Sequence, residues 1–407
     1  MMTRAFRLCA ALALAVSLSA CSTLRGTLVP VAGTAQGTSQ VDMLVATTRL
    51  PADPVEMFSG ARGPALSFAN ITVSIPPESA RKVGEVQWPS RVPGNPATDF
   101  VTLKADVIDR KQALTWFNRA VAKVPKRRVL VFIHGFNNRF DDAVFRFAQI
   151  VHDSSAPVVP VLFTWPSRGS ILAYGWDRES STYSRNALET VLKALAQDPS
   201  VGEISILAHS MGNVVTLEAL RQMAIRDGRV APKIRNVLLA APDVDVDLAR
   251  QQIKDMGPNH PDFTLFVSAD DRALAFSRRV WGDSVRLGAI DPEVEPYRSE
   301  LEATKINVIN LTTLKSDDSL NHSKFAQSPE VVQMIGQQLA SGQVLTDNRV
   351  GVGDVIIGAA AGAASTVGKA AGVIVSAPVA IVDPRTRENL GEHVQDLGET
   401  LTGQTVP

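Results

Sequence analysis

Between residues 129 and 340 the sequence alternates short, unbroken apolar runs with longer segments of helical periodicity, and few architectures accommodate that rhythm. Val129–Ile133, Val158–Trp165, Ile204–Ala208, Val237–Ala241, Phe263–Ser268 and Ile306–Leu311 are runs of strand formers. Phe140–Asp153 places Val144, Phe147, Ala148 and Val151 on one helical face, and Asp177–Gln197 and Asn213–Arg226 also have helical patterns. A last helix is expected over Pro329–Ala340, opened by Ser328 as N-cap and closed by Gly342. A strand that is apolar at every position must be covered on both faces. The pattern therefore predicts an α/β fold: βαβ units building a mostly parallel central sheet with helices on both sides.

Upstream the character differs. Asp42–Thr48, Phe68–Ile75, Glu85–Trp88 and Phe100–Val107 read as strands, broken by Pro51, Pro54, Pro64, Pro76, Pro77, Pro89, Pro93 and Pro96. They are expected as antiparallel strands leading into the sheet. Residues 21–40 are rich in Gly, Thr, Ser and Ala without an apolar period, and read as a flexible tether to a domain spanning 41–341.

Charge and cysteine content narrow the function. The chain has 41 basic and 41 acidic residues, so it has no electrostatic footprint for nucleic acid. Two cysteines, Cys9 and Cys21, exclude a disulfide framework and a cysteine-rich metal site. Arg4 and Arg7 precede an apolar stretch from Leu8 to Leu18 that is too short for a stable span, and small residues follow it. Residues 1–20 thus read as a secretory signal. Leu18-Ser19-Ala20-Cys21 resembles a bacterial lipobox. That resemblance implies cleavage before Cys21 and acylation (palmitate among the acyl groups) of its thiol and new α-amine. Membrane attachment through Cys21 follows, and Ser22 points to the outer membrane facing the periplasm. Removing Arg4 and Arg7 leaves 39 basic against 41 acidic residues, a net charge of −2. Residues 342–407 are a separate Gly/Ala-rich tail, in which Gly358 and Gly362, and Gly368 and Gly372, stand four apart. Small residues at that spacing suit close helix approach in lipid; a disordered or loosely packed Gly/Ala tail is the other reading.

The chemistry-bearing signal is Ala208-His209-Ser210-Met211-Gly212, between a strand pattern and a helix pattern. A nucleophilic serine on a sharp strand-to-helix turn needs small residues two before and two after it, the pattern being G-x-S-x-G. Ala208 departs from that pattern but is still small. His134-Gly135-Phe136-Asn137 follows the strand Val129–Ile133. In such a fold an oxyanion hole is built from the N–H after the nucleophile and one from an earlier loop, here Met211 and Phe136. The base must follow the serine. Of His260, His322 and His393, only His322 lies after a late strand and before the final helix. The carboxylate that orients it stays open between Asp270 and Asp271, which end the strand Phe263–Ser268, and Asp243, which follows the strand before it.

Together these motifs resemble the α/β-hydrolase superfamily, and within it a bacterial group of esterase- or lipase-like serine hydrolases. The resemblance covers about residues 41–341 and rests on Ala208–Gly212, His134–Asn137, Ser268–Leu274 and Asn321–Ser323. It also includes Phe163–Ser167 through Tyr174 to Tyr183. Asp271 is favoured because Asp271-Arg272-Ala273-Leu274 looks like the acid-bearing turn of that group. The resemblance implies that Ser210 attacks a carboxylic ester of a small molecule or lipid, with His322 as base and Asp271 orienting it. Neither metal nor organic cofactor is required. Trp165, Tyr174 and Trp176 either line an acyl or alcohol pocket or form a packed aromatic loop over the sheet. Amide or thioester hydrolysis, acyl transfer to an envelope component, and a non-catalytic binding lipoprotein on the same fold are the alternatives.

Overall fold

The computed structural model describes residues 24–341, except Lys305 and Asp317. The signal over 1–20, the lipidation at Cys21 and the tail from 342 onward lie outside the described residues. Nine strands form one sheet: β1 (Ser39–Pro51), β2 (Phe58–Ile75), β3 (Val101–Ile108), β4 (Arg128–Ile133), β5 (Val159–Thr164), β6 (Glu203–His209), β7 (Ile234–Ala240), β8 (Asp262–Val267) and β9 (Asn307–Asn310). Their order is β3-β2-β1-β5-β4-β6-β7-β8-β9. β2 is antiparallel to β1 and β3, and every other pairing is parallel. The mostly parallel sheet and its antiparallel leading strands are as expected.

The continuous apolar runs are explained by two separate cores. Along β4, Val129, Val131 and Ile133 face one core, and Leu130 and Phe132 face the other. The first is closed by α1 (Arg110–Val121), α4 (Arg185–Gln197), α5 (Gly212–Asp227) and α6 (Val246–Asp255). The second is closed by α2 (Phe140–Ser154), α9 (Lys324–Gln327) and α10 (Pro329–Ser341). The remaining helices, α3 (Tyr174–Tyr183), α7 (Arg272–Val280) and α8 (Tyr297–Ala303), lie in the connections. Among the described residues, no helix is long and apolar enough to cross a membrane.

Three local expectations are corrected. Glu85–Trp88 is not a strand. Phe100 N donates to Gln87 O, and Trp88 packs on Phe145 with 5.0 Å between centroids. Pro89, Pro93 and Pro96 lack the N–H groups a ladder would need. The long helix over 177–197 is two helices, α3 and α4, broken at Ser184. There the hydroxyl donates to Ser180 O (2.8 Å) and meets Thr48 Oγ1 (2.8 Å) on β1. The expected tether is partly docked: Leu28 is 2% exposed, Thr27 Oγ1 donates to Asp141 (2.8 Å) and Val31 N to Thr102 O (2.8 Å). One leucine with two hydrogen bonds seats this stretch without any apolar period to announce it.

Candidate active site

β6 runs directly into α5 through Ser210 and Met211, and the turn is too tight for ordinary backbone. Ser210 has φ of 52°, in the left-handed region, and is only 4% exposed. A non-glycine residue there stores about 1–3 kcal/mol. The surrounding structure fixes it. Ser210 N donates to Ala240 O (2.9 Å), and Ser210 O accepts from Asn213 N (3.1 Å), Asn213 Nδ2 (2.9 Å) and Asp243 N (3.2 Å). Gly212 is needed because a Cβ there would stand 2.5 Å from His134 O and 2.6 Å from Ile133 O. A Cβ on Gly135 would reach Ser210 Cβ at 2.8 Å. Ala208, still inside β6 and fully buried between β4 and β7, has room for its one methyl.

His322 stands on the loop between β9 and α9, and its Nδ1 lies 2.7 Å from Asp271 Oδ2. A carboxylate can only accept, so Nδ1 carries the proton and Nε2 holds the lone pair. Asp271 is itself fixed: its Oδ1 accepts from Leu274 N (2.9 Å) and caps α7. The alternatives are engaged elsewhere. Asp270 meets Lys324 Nζ (2.8 Å), Ser268 Oγ (2.5 Å) and Asn321 Nδ2 (2.8 Å). Asp243 accepts from Tyr174 OH (2.7 Å) and Ser277 Oγ (2.5 Å). Of the three carboxylates, only Asp271 contacts the imidazole. Burial pulls the His322 pKa down, but the charge and hydrogen bond of Asp271, with Asp243 and Asp318 behind it, overcome this and hold it above 6.5.

His209, the residue before Ser210, connects that turn to the loop of His322. Its ring lies 4.8 Å from that of His322 and 4.7 Å from Phe325, and its Nε2 is 3.3 Å from His322 O. Burial, then the neighbouring His322, drives its pKa well below the usual value. Asp318 pins the same loop by accepting from His322 N (2.8 Å) and Ser323 N (2.9 Å). Among the described residues Ser210 Oγ makes no hydrogen bond, to His322 or to any other group.

Neither Phe136 N nor Met211 N donates to a described protein group, although Met211 is fully buried. Their loop is rigid. His134 is neutral, since burial and then Arg49 push its pKa to about 3. Its Nδ1 donates to Gly135 O (2.9 Å), and Nε2 accepts from Trp165 N (3.2 Å).

Of the two readings of the aromatic residues, Trp165 fits the packed one. Trp165 is 0% exposed, stacks on His134 at 4.9 Å and donates Nε1 to His134 O (2.8 Å), so it supports the loop and cannot touch a substrate. Trp176 donates to Gly60 O (3.1 Å) and carries the guanidinium groups of Arg62 (4.4 Å) and Arg168 (3.8 Å) over its ring. Of the three, only Tyr174 meets Phe136, edge-on at 5.0 Å. Its hydroxyl serves Asp243, and burial with that carboxylate pushes its pKa to about 12. Sequence reasoning missed His209, Asp318, Lys324, Arg49 and Asp177. The x of the serine motif could have marked His209; nothing local marks the others. Among the described residues no group of three or more His, Cys, Asp or Glu is arranged to hold a metal ion.

An uncharacterized protein of Nostoc sp. is 24% identical over 151 residues, which is 31% of this chain and 39% of that protein. The chain thus spans about two fifths of that relative's length. A crystal structure of an esterase/lipase from an uncultured bacterium aligns over 76% of this chain and 85% of its own, with 10% identity and a TM-score of 0.30. A peroxisomal alpha-beta-hydrolase of Saccharomyces cerevisiae aligns over 51% and 45%, with 9% identity and a TM-score of 0.20. Residues 109–338, more than half of the chain, match one family, and the protein belongs to it: the alpha/beta hydrolases of unknown function designated DUF900.

Proposed function

We propose that the protein is a serine hydrolase that cleaves a carboxylic ester. The observation that carries this is the His322–Asp271 pair at 2.7 Å, on a loop packed against the residue preceding a left-handed Ser210. Substrate draws the Ser210 hydroxyl and His322 Nε2 together. Oγ attacks the ester carbonyl as Nε2 takes its proton, and Asp271 stabilises the imidazolium. The carbonyl electrons move onto oxygen, where the Met211 and Phe136 N–H groups receive them. Collapse expels the alkoxide, which takes the proton from His322 and leaves an acyl-enzyme. Water, deprotonated by His322, then attacks the acyl carbon; the bond to Ser210 Oγ breaks, Oγ takes the proton back from His322 and the acid leaves.

The test is an active-site fluorophosphonate on the full chain. Labelling of wild type that disappears in Ser210→Ala is expected. Folded wild-type protein that takes no label would favour the binding-lipoprotein reading. A panel of p-nitrophenyl esters, thioesters and amides separates ester cleavage from the other acyl transfers.

For location, we propose a lipid anchor at Cys21 and an outer-membrane, periplasm-facing position, supported by the lipobox-like Leu18–Cys21. More than one acyl chain gives stable attachment. Globomycin should make the precursor accumulate, and Cys21→Ala should release the protein from membranes; no change in either would remove the anchor.

A further inference from the structure

Two buried charges have no part in that reaction. Arg49, at the end of β1, is 1% exposed, and Asp177, in α3, is fully buried. They are 128 positions apart and do not form an ion pair with each other or, for Arg49, with any described carboxylate. An unpaired guanidinium in the interior is costly unless its donors are satisfied. Here they are satisfied by loops. Arg49 donates from Nε to Thr164 Oγ1 (2.6 Å), from Nη1 to Ser167 O (2.7 Å) and Ser59 O (3.3 Å), and from Nη2 to Asn138 O (2.8 Å). The same Nη2 stands 3.5 Å from His134 Nε2. Asp177 takes the complementary groups: the Ser167 hydroxyl (2.5 Å), Arg168 N (3.0 Å) and Asn137 N (3.3 Å).

The two charges thus hold the same two loops through groups of opposite polarity, and in the β5 loop they grip the two ends of one peptide, Ser167–Arg168. Arg49 takes the carbonyls of Asn138 and Ser167; Asp177 takes the N–H groups of Asn137 and Arg168. Ser167 Oγ closes the pattern by accepting from Asn138 N (3.0 Å). One loop follows β5. The other follows β4 and bears Phe136, whose own carbonyl accepts from Asn138 Nδ2 (2.8 Å). Asn137 sits at φ 59°, a strained conformation that this grip maintains.

We propose that Arg49 and Asp177 are positioning residues for the oxyanion hole, clasping the β4 loop so that the Phe136 N–H is fixed before substrate arrives. The inference rests on the hydrolase reading above. A preorganised donor acts only on charge that develops in the transition state, so its loss lowers kcat and leaves ground-state binding nearly intact.

The experiment measures kcat and KM of full-chain wild type, Arg49→Lys, Arg49→Gly and Asp177→Asn on p-nitrophenyl butyrate, with thermal melts beside them. Folded Arg49→Lys and Asp177→Asn should lose about 10- to 100-fold in kcat, somewhat less than deletion of a donor, with KM within about threefold. Arg49 borders a cavity of about 290 Å³, so millimolar ethylguanidine should restore part of the kcat of Arg49→Gly and leave wild type unchanged. If the Arg49 variants do not fold, Asp177→Asn, which keeps the side-chain shape, carries the comparison. Wild-type kcat in the folded variants, or a rise in KM at constant kcat, overturns the clasp while the hydrolase reading stands. Wild type that neither hydrolyses the ester nor takes the fluorophosphonate overturns the hydrolase reading and the clasp with it.

Discussion

Asp271 uses its two oxygens for two purposes, and substitutions can separate them. Oδ2 meets His322 Nδ1 and Oδ1 caps α7. Asn remains a good N-cap but cannot stabilise an imidazolium. Asp271→Asn should therefore lower kcat by about 10³- to 10⁴-fold with little change in melting temperature. Asp271→Ala should lose the cap as well, at about 1 kcal/mol. A kinetic assay paired with a thermal melt reads both. The His322 pKa, held above 6.5 chiefly by Asp271 against burial, sets the pH behaviour. As the base of the proposed mechanism it must be neutral, so kcat/KM should fall as pH drops through that raised value. In Asp271→Asn the limb should move to lower pH. For stability the sign is opposite. A raised folded pKa contributes stability that is fully present below 6.5 and fades as pH rises through the folded value. His322→Gln should remove that component from a melting-temperature profile. Chain order and flanking patterns singled out Ser210 and His322 in the sequence, and the structure sets Ser210 in a left-handed strand-to-helix turn and His322 against Asp271. Asp271 and Asp270 are sequence neighbours, and only the direction of each side chain separates them.

Between elements, the loop bearing His322 is fastened by contacts that no motif encodes. Lys324 Nζ lies buried among Asp270 Oδ1 (2.8 Å), Ser268 Oγ (3.1 Å), Leu311 O (3.0 Å) and Thr312 O (3.1 Å), tying α9 to the ends of β8 and β9. Lys324→Ala leaves these acceptors without their donor, at about 1–3 kcal/mol. It should lower both the melting temperature and kcat, because the freed loop carries the base; an unchanged kcat would show that Asp318 holds the loop alone. At the elbow, Gly212→Ala should cost about 1–3 kcal/mol and reduce turnover, since its methyl would push α5 away from Ile133 O and His134 O. Secondary-structure patterns revealed β4, β6 and α5. They did not reveal the break at Ser184, where a polar residue meets Thr48 of a strand far earlier in the chain. Nor did they show α1, although Asp109 and Gln112 form a capping box there.

For the whole molecule, the sheet is the frame that brings distant residues to one edge. Phe132 lies in the β4 core facing α2 and stacks on Phe147 at 5.2 Å. Phe132→Ala should cost about 3–5 kcal/mol in chemical denaturation. The rhythm of apolar runs and helical segments determined the parallel sheet with two covered faces, because hydrophobic burial depends on periodicity that can be read along the chain. The motif around Ser210 likewise determined a tight strand-to-helix turn, because sterics at Gly212 are local. Tertiary structure decided which carboxylate meets His322, that Trp165 is a buried prop, and that Arg49 and Asp177 grip the same loops. Hydrogen bonds between groups tens to more than a hundred residues apart depend on direction and distance in space, and a linear pattern carries neither.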